Sequence, residues 1–500
     1  MRMVLLFVLY LSEKKRMNKK EYNFTQQEWE SCLKVLNELK SNPLNNPDNK
    51  TFGALITKIH KLAKKELKSV VVESLKEPNK KELDKNEFDE VKQKNVRKTK
   101  RQIHKEFDFT LVKDSDMVKN ALSKFSLFKH NTKSEPFFTV LKSSKQCYCC
   151  HETYTQIHSF YHKLCPICAT LNYENRAMKV DLKGRNVIIT GGRVKVGYAT
   201  ALMFLRNGAN LVVTTRFPAL SLEEFKKEND YELWKERLTL YGLDLRNIRA
   251  VEDFVLFYKK EYKSLDVLVN NAAQTIKYTD EYYQPLIQNE QKLLLTEGKE
   301  KKLIANSTPI CNKTKALEYK NSNIEPSSLN RFGQPIDFRE KNSWNSTLTE
   351  ISTHELLEVN LINHISPYLL IKELTPLLKA SSFEEKFIIN VSSSEGQFSY
   401  VNKTIHHPHT NMTKAALNML TRTSASSYAE DKIYMNSVDV GWISTGAVES
   451  KREGLFEQGF VPPLDLVDGA ARVLHPIYES LVKKQHIFAK LLKDYQVVDW

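Results

Sequence analysis

The stretch Thr190-Gly-Gly-Arg-Val-Lys-Val-Gly197 follows a short apolar run, 186–190, and leads directly into a helix-period segment that begins at Tyr198. A strand, a glycine-containing turn and a helix N-terminus together present backbone N–H groups and a partial positive charge, which suit a pyrophosphate. Further short apolar runs alternate with helix-period segments downstream, at 211–215, 265–269, 387–391 and 434–440. This alternation predicts an α/β fold with a doubly wound parallel sheet of the Rossmann type.

Length and spacing divide the chain into three parts. A chain of 500 residues exceeds one ordinary core. We expect a helical and linker region over 1–145, a small cysteine module over 146–179 and the Rossmann-type domain over 180–500. A polar, Lys- and Asn-rich insertion at about 277–345 interrupts that domain, and its composition predicts a largely structureless segment beside the mouth of the site.

Charge and hydropathy restrict the possible partners. The chain carries 75 Lys+Arg against 60 Asp+Glu, a formal net charge of +15, which favours anionic ligands such as nucleotides. No aromatic and basic platform accompanies the charge, so nucleic-acid binding ranks last. The apolar segment 3–11 is too short to span a bilayer and is a poor signal peptide, and Met17 is an alternative start. We therefore expect no membrane association.

The cysteines form two close pairs that suit a metal. Each CxxC pair supplies two thiolates from one tight turn, and four thiolates fill a tetrahedral zinc ion, so the site would be structural. A histidine of the same segment could replace one cysteine. The expected ligands are Cys147, Cys150, Cys165 and Cys168, and the alternative ligands are His151, His158 and His162. Clustered cysteines in a chain without a disulfide pattern indicate a reducing, cytoplasmic setting, and the module is a candidate docking site for a protein partner.

The order of motifs over residues 180–500 resembles the short-chain dehydrogenase/reductase family. The family pattern Thr-Gly-x-x-x-Gly-x-Gly matches Thr190, Gly191 and Gly197, while Lys195 replaces the middle glycine. A basic residue at this position resembles the pteridine-reductase-type branch of the family, which uses NADPH. The second strand ends at Arg216 with no acidic residue to accept from a ribose hydroxyl, and Arg193 adds a second cation. The two arginines predict NADP(H) rather than NAD(H).

The resemblance also implies roles for residues further along the chain. Asp244 would hold the adenine ring, and Asn360 would support a relay water. Asn271 lies in Asn270-Asn-Ala-Ala273, which matches the family's Asn-Asn-Ala-Gly turn with Ala273 in place of the final glycine. Ser393 is expected as the catalytic serine. Lys414 would hold the nicotinamide ribose, and Thr445 would contact the cofactor.

The family's Tyr-x-x-x-Lys pair is incomplete, because Thr410 stands where the tyrosine belongs. Threonine is too weak an acid to replace it near neutral pH. In one interpretation a nearby histidine, best represented by His409, donates the proton, and the chain reduces a carbonyl or oxidises an alcohol. In the other, the domain is a lapsed enzyme that binds the dinucleotide as a scaffold or sensor. The family resemblance implies a homo-oligomer.

Overall fold

The computed structural model describes most of the chain after residue 136 and shorter stretches before it. The described residues are 23–41, 46–48, 51–52, 54–56, 58–59, 115–122, 136–297, 303–304, 330, 334–337, 339–400, 403–444, 446, 448, 452, 454–455 and 460–500. The chain forms two compact units, 1–98 and 99–500. In the first, helix α1 (Gln26–Ser41) begins after Thr25, whose backbone N–H donates to the Glu28 carboxylate at 2.7 Å.

The cysteine module is built on a two-stranded antiparallel hairpin. After the short helix α2 (Asp116–Leu122), strands β1 (Phe138–Gln146) and β2 (Thr153–His158) pair, and helix α3 (Pro166–Asn175) follows. Strand β1 lies almost wholly within the region that the sequence predicts as helical and linker. Most of its side chains are exposed or half-buried, so it lacks the apolar alternation that would have indicated a strand.

A nine-stranded sheet organises the rest of the second unit, and it confirms the predicted doubly wound α/β fold. Its order in space is β11-β10-β9-β8-β6-β3-β4-β5-β7, parallel throughout except between β10 and β11. The strands are β3 (Asn186–Thr190), β4 (Asn210–Thr215), β5 (Leu238–Gly242), β6 (Val267–Asn270), β7 (Leu303–Ile304), β8 (Lys386–Ser392), β9 (Ile433–Asp439), β10 (Leu491–Lys493) and β11 (Gln496–Val498). The strand order reverses direction at the β3–β6 pair, where ligands bind in folds of this type.

Two helical layers cover the sheet. The helices are α4 (Lys195–Arg206), α5 (Pro218–Lys226), α6 (Tyr231–Trp234), α7 (Ile248–Glu261), α8 (Asp280–Glu297), α9 (Thr353–Asn360), α10 (Ser366–Lys379), α11 (Pro408–Glu430) and α12 (Leu466–Leu481). Side chains alternate along a strand. Val187 and Ile189 of β3 therefore pack with α4 and α12, whereas Ile188 packs with α7, α10 and α11 on the opposite face.

The described part of the 277–345 insertion is folded, in contrast to the largely structureless segment that its composition predicts. It contains helix α8, strand β7 at the edge of the sheet and a short 3₁₀ turn at Ser343–Asn345. Helix α8 is difficult to recognise from sequence because Pro285 lies inside it and polar residues interrupt its apolar face. Within the described ranges, no helix has the length and hydrophobicity that a bilayer crossing requires.

A π turn at Leu361–Ile365 joins α9 to α10, so the helical backbone continues from one to the other. Turns of this kind are rare and are frequently found at functional sites. The turn carries Asn363, which is 1% exposed. Asn363 donates to the backbone oxygen of Gln274 at 2.9 Å and to the Thr413 hydroxyl of α11 at 3.0 Å. The turn therefore ties the segment after β6 to helix α11.

A buried ionic network attaches the cysteine module to the sheet domain. Arg176, just after α3, donates to both carboxylate oxygens of Asp465 at 2.7 and 2.9 Å and to Asp468 at 2.8 Å. Tyr161 also donates to Asp468, whose side chain is fully buried. Because a buried carboxylate is costly without its partners, this network depends on all of its members.

Arg176→Met should lower the free energy of unfolding by about 3–5 kcal/mol, because it leaves Asp468 buried beside Asp465 without its cation. Arg206→Met is the matched control, since Arg206 makes a similar paired contact with Asp230 but its side chain is 38% exposed. The control should lose less than about 1 kcal/mol. Urea unfolding of both variants measures the difference, and equal losses would contradict the role of the buried network.

Candidate active site

A cavity of ≈ 710 Å³ opens along the carboxyl ends of the central strands. Residues of the glycine turn, of the ends of β4, β6, β8 and β9, of α11 and of the insertion all line it. Among the residues predicted from sequence, those lining the cavity are Gly191, Arg193, Lys195, Gly197, Arg216, Asp244, Asn271, Ser393 and Lys414. The structure therefore brings most of the predicted cofactor residues and two predicted catalytic residues to one space.

The glycine turn is packed closely enough to require glycine at two positions. Gly191 has φ +70°, and a Cβ at Gly197 would lie 2.2 Å from the backbone oxygen of Gly191. Lys195 has φ +56°, a left-handed backbone that glycine adopts most readily. This conformation costs a non-glycine residue about 1–2 kcal/mol. The turn therefore carries a cation at a position whose backbone would suit glycine.

Thr190 and Asn271 hold the turn against the end of β6. The Thr190 hydroxyl accepts the backbone N–H groups of Asn271 and Ala272, each at 3.0 Å. The Asn271 side chain donates to the backbone oxygens of Thr190 at 2.8 Å and Gly191 at 3.1 Å. Thr190 itself is buried and does not appear in the cavity wall. Its part is to fix the turn that a phosphate would contact.

Two arginines and two aromatic rings form one end of the cavity. The guanidinium groups of Arg193 and Arg216 lie 5.5 and 5.6 Å from the centre of the Phe217 ring, and Arg216 also lies 4.5 Å from that of Tyr283. Burial, together with repulsion from Arg216, lowers the pKa of Arg193 to about 10. A phosphate bound between the two cations would reduce their mutual repulsion and form charge-assisted hydrogen bonds with both, so this end suits a phosphate.

Asp244 lines the cavity near these arginines but is already paired. Arg246 donates to its carboxylate through Nε at 3.0 and 3.1 Å and through Nη2 at 2.6 Å. Burial opposes ionisation of Asp244, yet the bonds from Arg246 hold its pKa below the usual value. The side chain therefore remains an anion that can accept a further hydrogen bond from a ligand.

At the other end of the cavity lie Ser393, Thr410 and Lys414. Lys414 is buried and donates to the backbone oxygen of Val391 at 2.6 Å. Burial lowers the pKa of its ammonium to about 8. The Thr410 hydroxyl is also buried and makes no hydrogen bond within the described part of the chain. Lys414 can therefore hold or release a proton near neutral pH.

His409 and Asn360 do not line the cavity. The His409 Nε2 lies 3.2 Å from the backbone oxygen of Thr275 and 3.5 Å from the Glu355 carboxylate, and the residue is 1% exposed. The side chain is turned into the protein, so it is not positioned to protonate a ligand in the cavity. Asn360 donates to the backbone oxygen of Leu356 in its own helix at 2.6 Å. Thr445 lies outside the described residues.

Several known proteins are similar to this chain in sequence. The family model for short chain dehydrogenases matches residues 185–290, and the family model for enoyl-(acyl carrier protein) reductases matches residues 338–458. An uncharacterized protein of Acanthamoeba polyphaga mimivirus is 33% identical over 363 residues, which is 69% of this chain and 74% of that protein. The chain belongs to the short-chain dehydrogenase/reductase family. It is therefore a member of an oxidoreductase family.

Other relatives of this short-chain dehydrogenase/reductase match over shorter stretches. Retinol dehydrogenase 13 of Mus musculus is 32% identical over 95 residues, or 19% of this chain and 28% of that protein. The solved carbonyl reductase Sniffer of D. melanogaster is 18% identical with a TM-score of 0.42, and the match covers 64% of this chain and 100% of that one. The chain thus spans little more than a quarter of the retinol dehydrogenase.

Sequence reasoning missed several residues of this family member's cavity. The insertion contributes Tyr278, Tyr282 and Tyr283 from α8 and the segment before it, and Trp344 from its end. Trp344 stacks on His407 with ring centres 4.4 Å apart. Paired tyrosines at 282–283 within a polar segment were the available signal, but their position in the fold depends on the unexpected helix α8.

The four predicted metal ligands meet in one cluster. The sulfur atoms of Cys147, Cys150, Cys165 and Cys168 all lie within 4.8 Å of one another. The Cys150 and Cys165 sulfurs are 3.7 Å apart, close to the spacing of about 3.8 Å that tetrahedral Zn–S bonds of 2.3 Å require. Two of the alternative histidines are engaged elsewhere: His158 accepts from the backbone of Phe160, and His162 contacts the backbone oxygen of Val461. The third, His151, does not belong to the cluster.

Proposed function

We propose that the chain is an NADP(H)-dependent oxidoreductase that interconverts a carbonyl and an alcohol on a small molecule. The observation that carries this proposal is the shared cavity, which the glycine turn, the Arg193–Arg216 pair and the Ser393–Lys414 cluster all line. A cradle for phosphates and a proton-holding cluster therefore face the same space, which is the arrangement that nicotinamide chemistry requires.

The arginine pair supports NADP(H) over NAD(H). A 2′-phosphate between Arg193 and Arg216 would offset the burial and the repulsion from Arg216 that together lower the pKa of Arg193. The rings of Phe217 and Tyr283 beside these cations offer flat surfaces for an adenine. The backbone N–H groups of the glycine turn would hold the pyrophosphate at the N-terminus of α4.

For the chemical step, Lys414 is the proposed proton source. When bound, a reduced nicotinamide supplies hydride to the carbonyl carbon. Ser393 donates a hydrogen bond to the carbonyl oxygen. The Lys414 ammonium lines the same cavity and gives up its proton to that oxygen, and the neutral amine later regains a proton from water. This assignment replaces His409, because His409 faces Thr275 and Glu355.

Arg216→Asp should weaken NADPH binding by about 10–100-fold and NADH binding far less, because only NADPH has the 2′-phosphate. Arg249→Asp is the control: it makes the same change in net charge at an exposed position on α7 and should affect both cofactors little and equally. Titration of the purified full-length protein, followed by nicotinamide fluorescence, gives both affinities. Equal losses for the two cofactors in Arg216→Asp would refute the assignment.

The Lys414 proposal fixes a pH dependence for carbonyl reduction. Because the ammonium form is the acid and its pKa is lowered to about 8, kcat/KM should be constant below that pH and fall about tenfold per unit above it. Lys414→Arg keeps the charge but does not release the proton, so it should lower the rate by about 10²–10⁴-fold. A panel of aldehydes and ketones provides the assay. A wild-type profile that stays flat from pH 7 to about 10 would contradict this role.

Thr410 also favours a second candidate function. A member of the family without its tyrosine can bind the dinucleotide as a scaffold or sensor without turning it over. Tight NADPH binding combined with inactivity towards the whole carbonyl panel would support this alternative over the enzyme.

We also propose that the cysteine cluster holds a structural zinc ion. Four sulfur ligands leave no open position for a substrate. Purified protein should contain stoichiometric zinc, and Cys165→Ser should lose it. Cys32→Ser is the matched control, because Cys32 is an exposed cysteine that does not belong to the four-sulfur cluster. Metal analysis of the three proteins tests the site, and zinc retained by Cys165→Ser would exclude this ligand set.

A further inference from the structure

The first cysteine turn contributes a residue to the cavity. Tyr148 stands between Cys147 and Cys149, and its side chain lines the same space as the glycine turn and Lys414. Its backbone N–H donates to the backbone oxygen of Lys163, just before the second cysteine pair, at 2.9 Å. Both halves of the four-cysteine cluster therefore determine where Tyr148 lies.

The hydroxyl of Tyr148 contacts the loop that follows β9. It accepts the backbone N–H of Trp442 at 2.8 Å, and the two rings lie 6.4 Å apart. Lys163 of the module also lies over the Trp442 ring, 5.1 Å from its centre. By the family resemblance, this loop is the one that surrounds the nicotinamide. The cysteine module thus supports the loop from one side.

Close contacts on both sides restrict the position of this loop. Gly441 has φ +82°, and a Cβ there would lie 2.5 Å from Leu464. Its backbone N–H donates to Asp439 at 2.9 Å. On the other side, a Cβ at Gly446 would lie 2.6 Å from the Trp344 ring, and Asn342 donates to the Gly446 oxygen at 3.1 Å. The loop is therefore held between the module and the end of the insertion.

We infer that Tyr148 is a positioning residue through which metal binding at the four cysteines sets the shape of the nicotinamide end of the cavity. This inference rests on the proposed zinc and cofactor. A zinc ion fixes Cys147 and Cys150 on either side of Tyr148, and the hydroxyl transmits that position to Trp442. Without the metal, thiols make only weak hydrogen bonds to one another, and the Tyr148 contact loses its anchor.

The experiment measures NADPH affinity of the full-length protein before and after zinc removal by a chelator. Chelation should weaken binding about tenfold in the wild type. Tyr148→Ala should show a similar loss already, and chelation should add less than about twofold to it, because both changes remove the same support. Tyr148→Phe keeps the ring and loses the hydroxyl acceptor, so its NADPH affinity should lie between those of the wild type and Tyr148→Ala.

Tyr154→Phe is the matched control within the module. Tyr154 is buried, its hydroxyl contacts the His162 backbone oxygen at 3.4 Å, and it does not line the cavity. This variant should respond to chelation as the wild type does. An unchanged NADPH affinity in chelated wild type that circular dichroism shows to be folded would overturn the inference. So would a full effect of chelation in Tyr148→Ala.

A second readout separates this inference from the proposed function. The fluorescence of Trp442, taken as the difference between each protein and its Trp442→Phe derivative, should shift on chelation in the absence of any cofactor. The shift should be lost in Tyr148→Ala. If NADPH binds none of the proteins, the cofactor proposal fails while this signal still decides the inference. Protein that takes up no zinc when zinc is supplied overturns it.

Discussion

The ion pairs of Arg176 with Asp465 and Asp468 are the contact on which the arrangement of this chain depends. They join the end of the cysteine module to the start of α12, and α12 packs on α4, the helix that begins at the glycine turn. One apolar core continues across this junction from Cys147 and Leu164 to Ile443 and Ala470. The module is consequently part of the sheet domain's packing, since neither Asp468 nor this core could be exposed without cost.

Much of the sheet domain could be predicted from sequence because its signals are local. A parallel sheet covered on both faces requires short, continuous apolar strands, and Asn186–Thr190 and Lys386–Ser392 have that character. The glycine turn could be recognised because its glycines have a fixed local spacing, although Asn271 and Ala272, distant in sequence, also hold it in place. Strand β1 and helix α8 lack such signals, because one is mostly exposed and the other contains a proline.

The parts of the site that sequence did not predict depend on contacts between distant segments. His409 immediately precedes the Thr410 position, yet Thr275 and Glu355 turn it into the protein. Tyr148 and Trp442 are separated by most of the domain in sequence and joined by one hydrogen bond. Motif spacing records which residues lie in the same local element, and it carries no information about which elements meet across a cavity.

The π turn between α9 and α10 determines which side of α10 faces the core. A turn closed by i→i+5 bonds takes one residue more than an α-helical turn, which rotates everything after it by about 100°. In that rotated phase, Leu370, Leu374 and Leu378 lie fully inside the core. The extra residue that places Asn363 against Thr413 is thus the same one that sets which face of α10 meets the sheet. Removing this one residue would therefore change both the Asn363–Thr413 contact and the packing of α10 against the sheet.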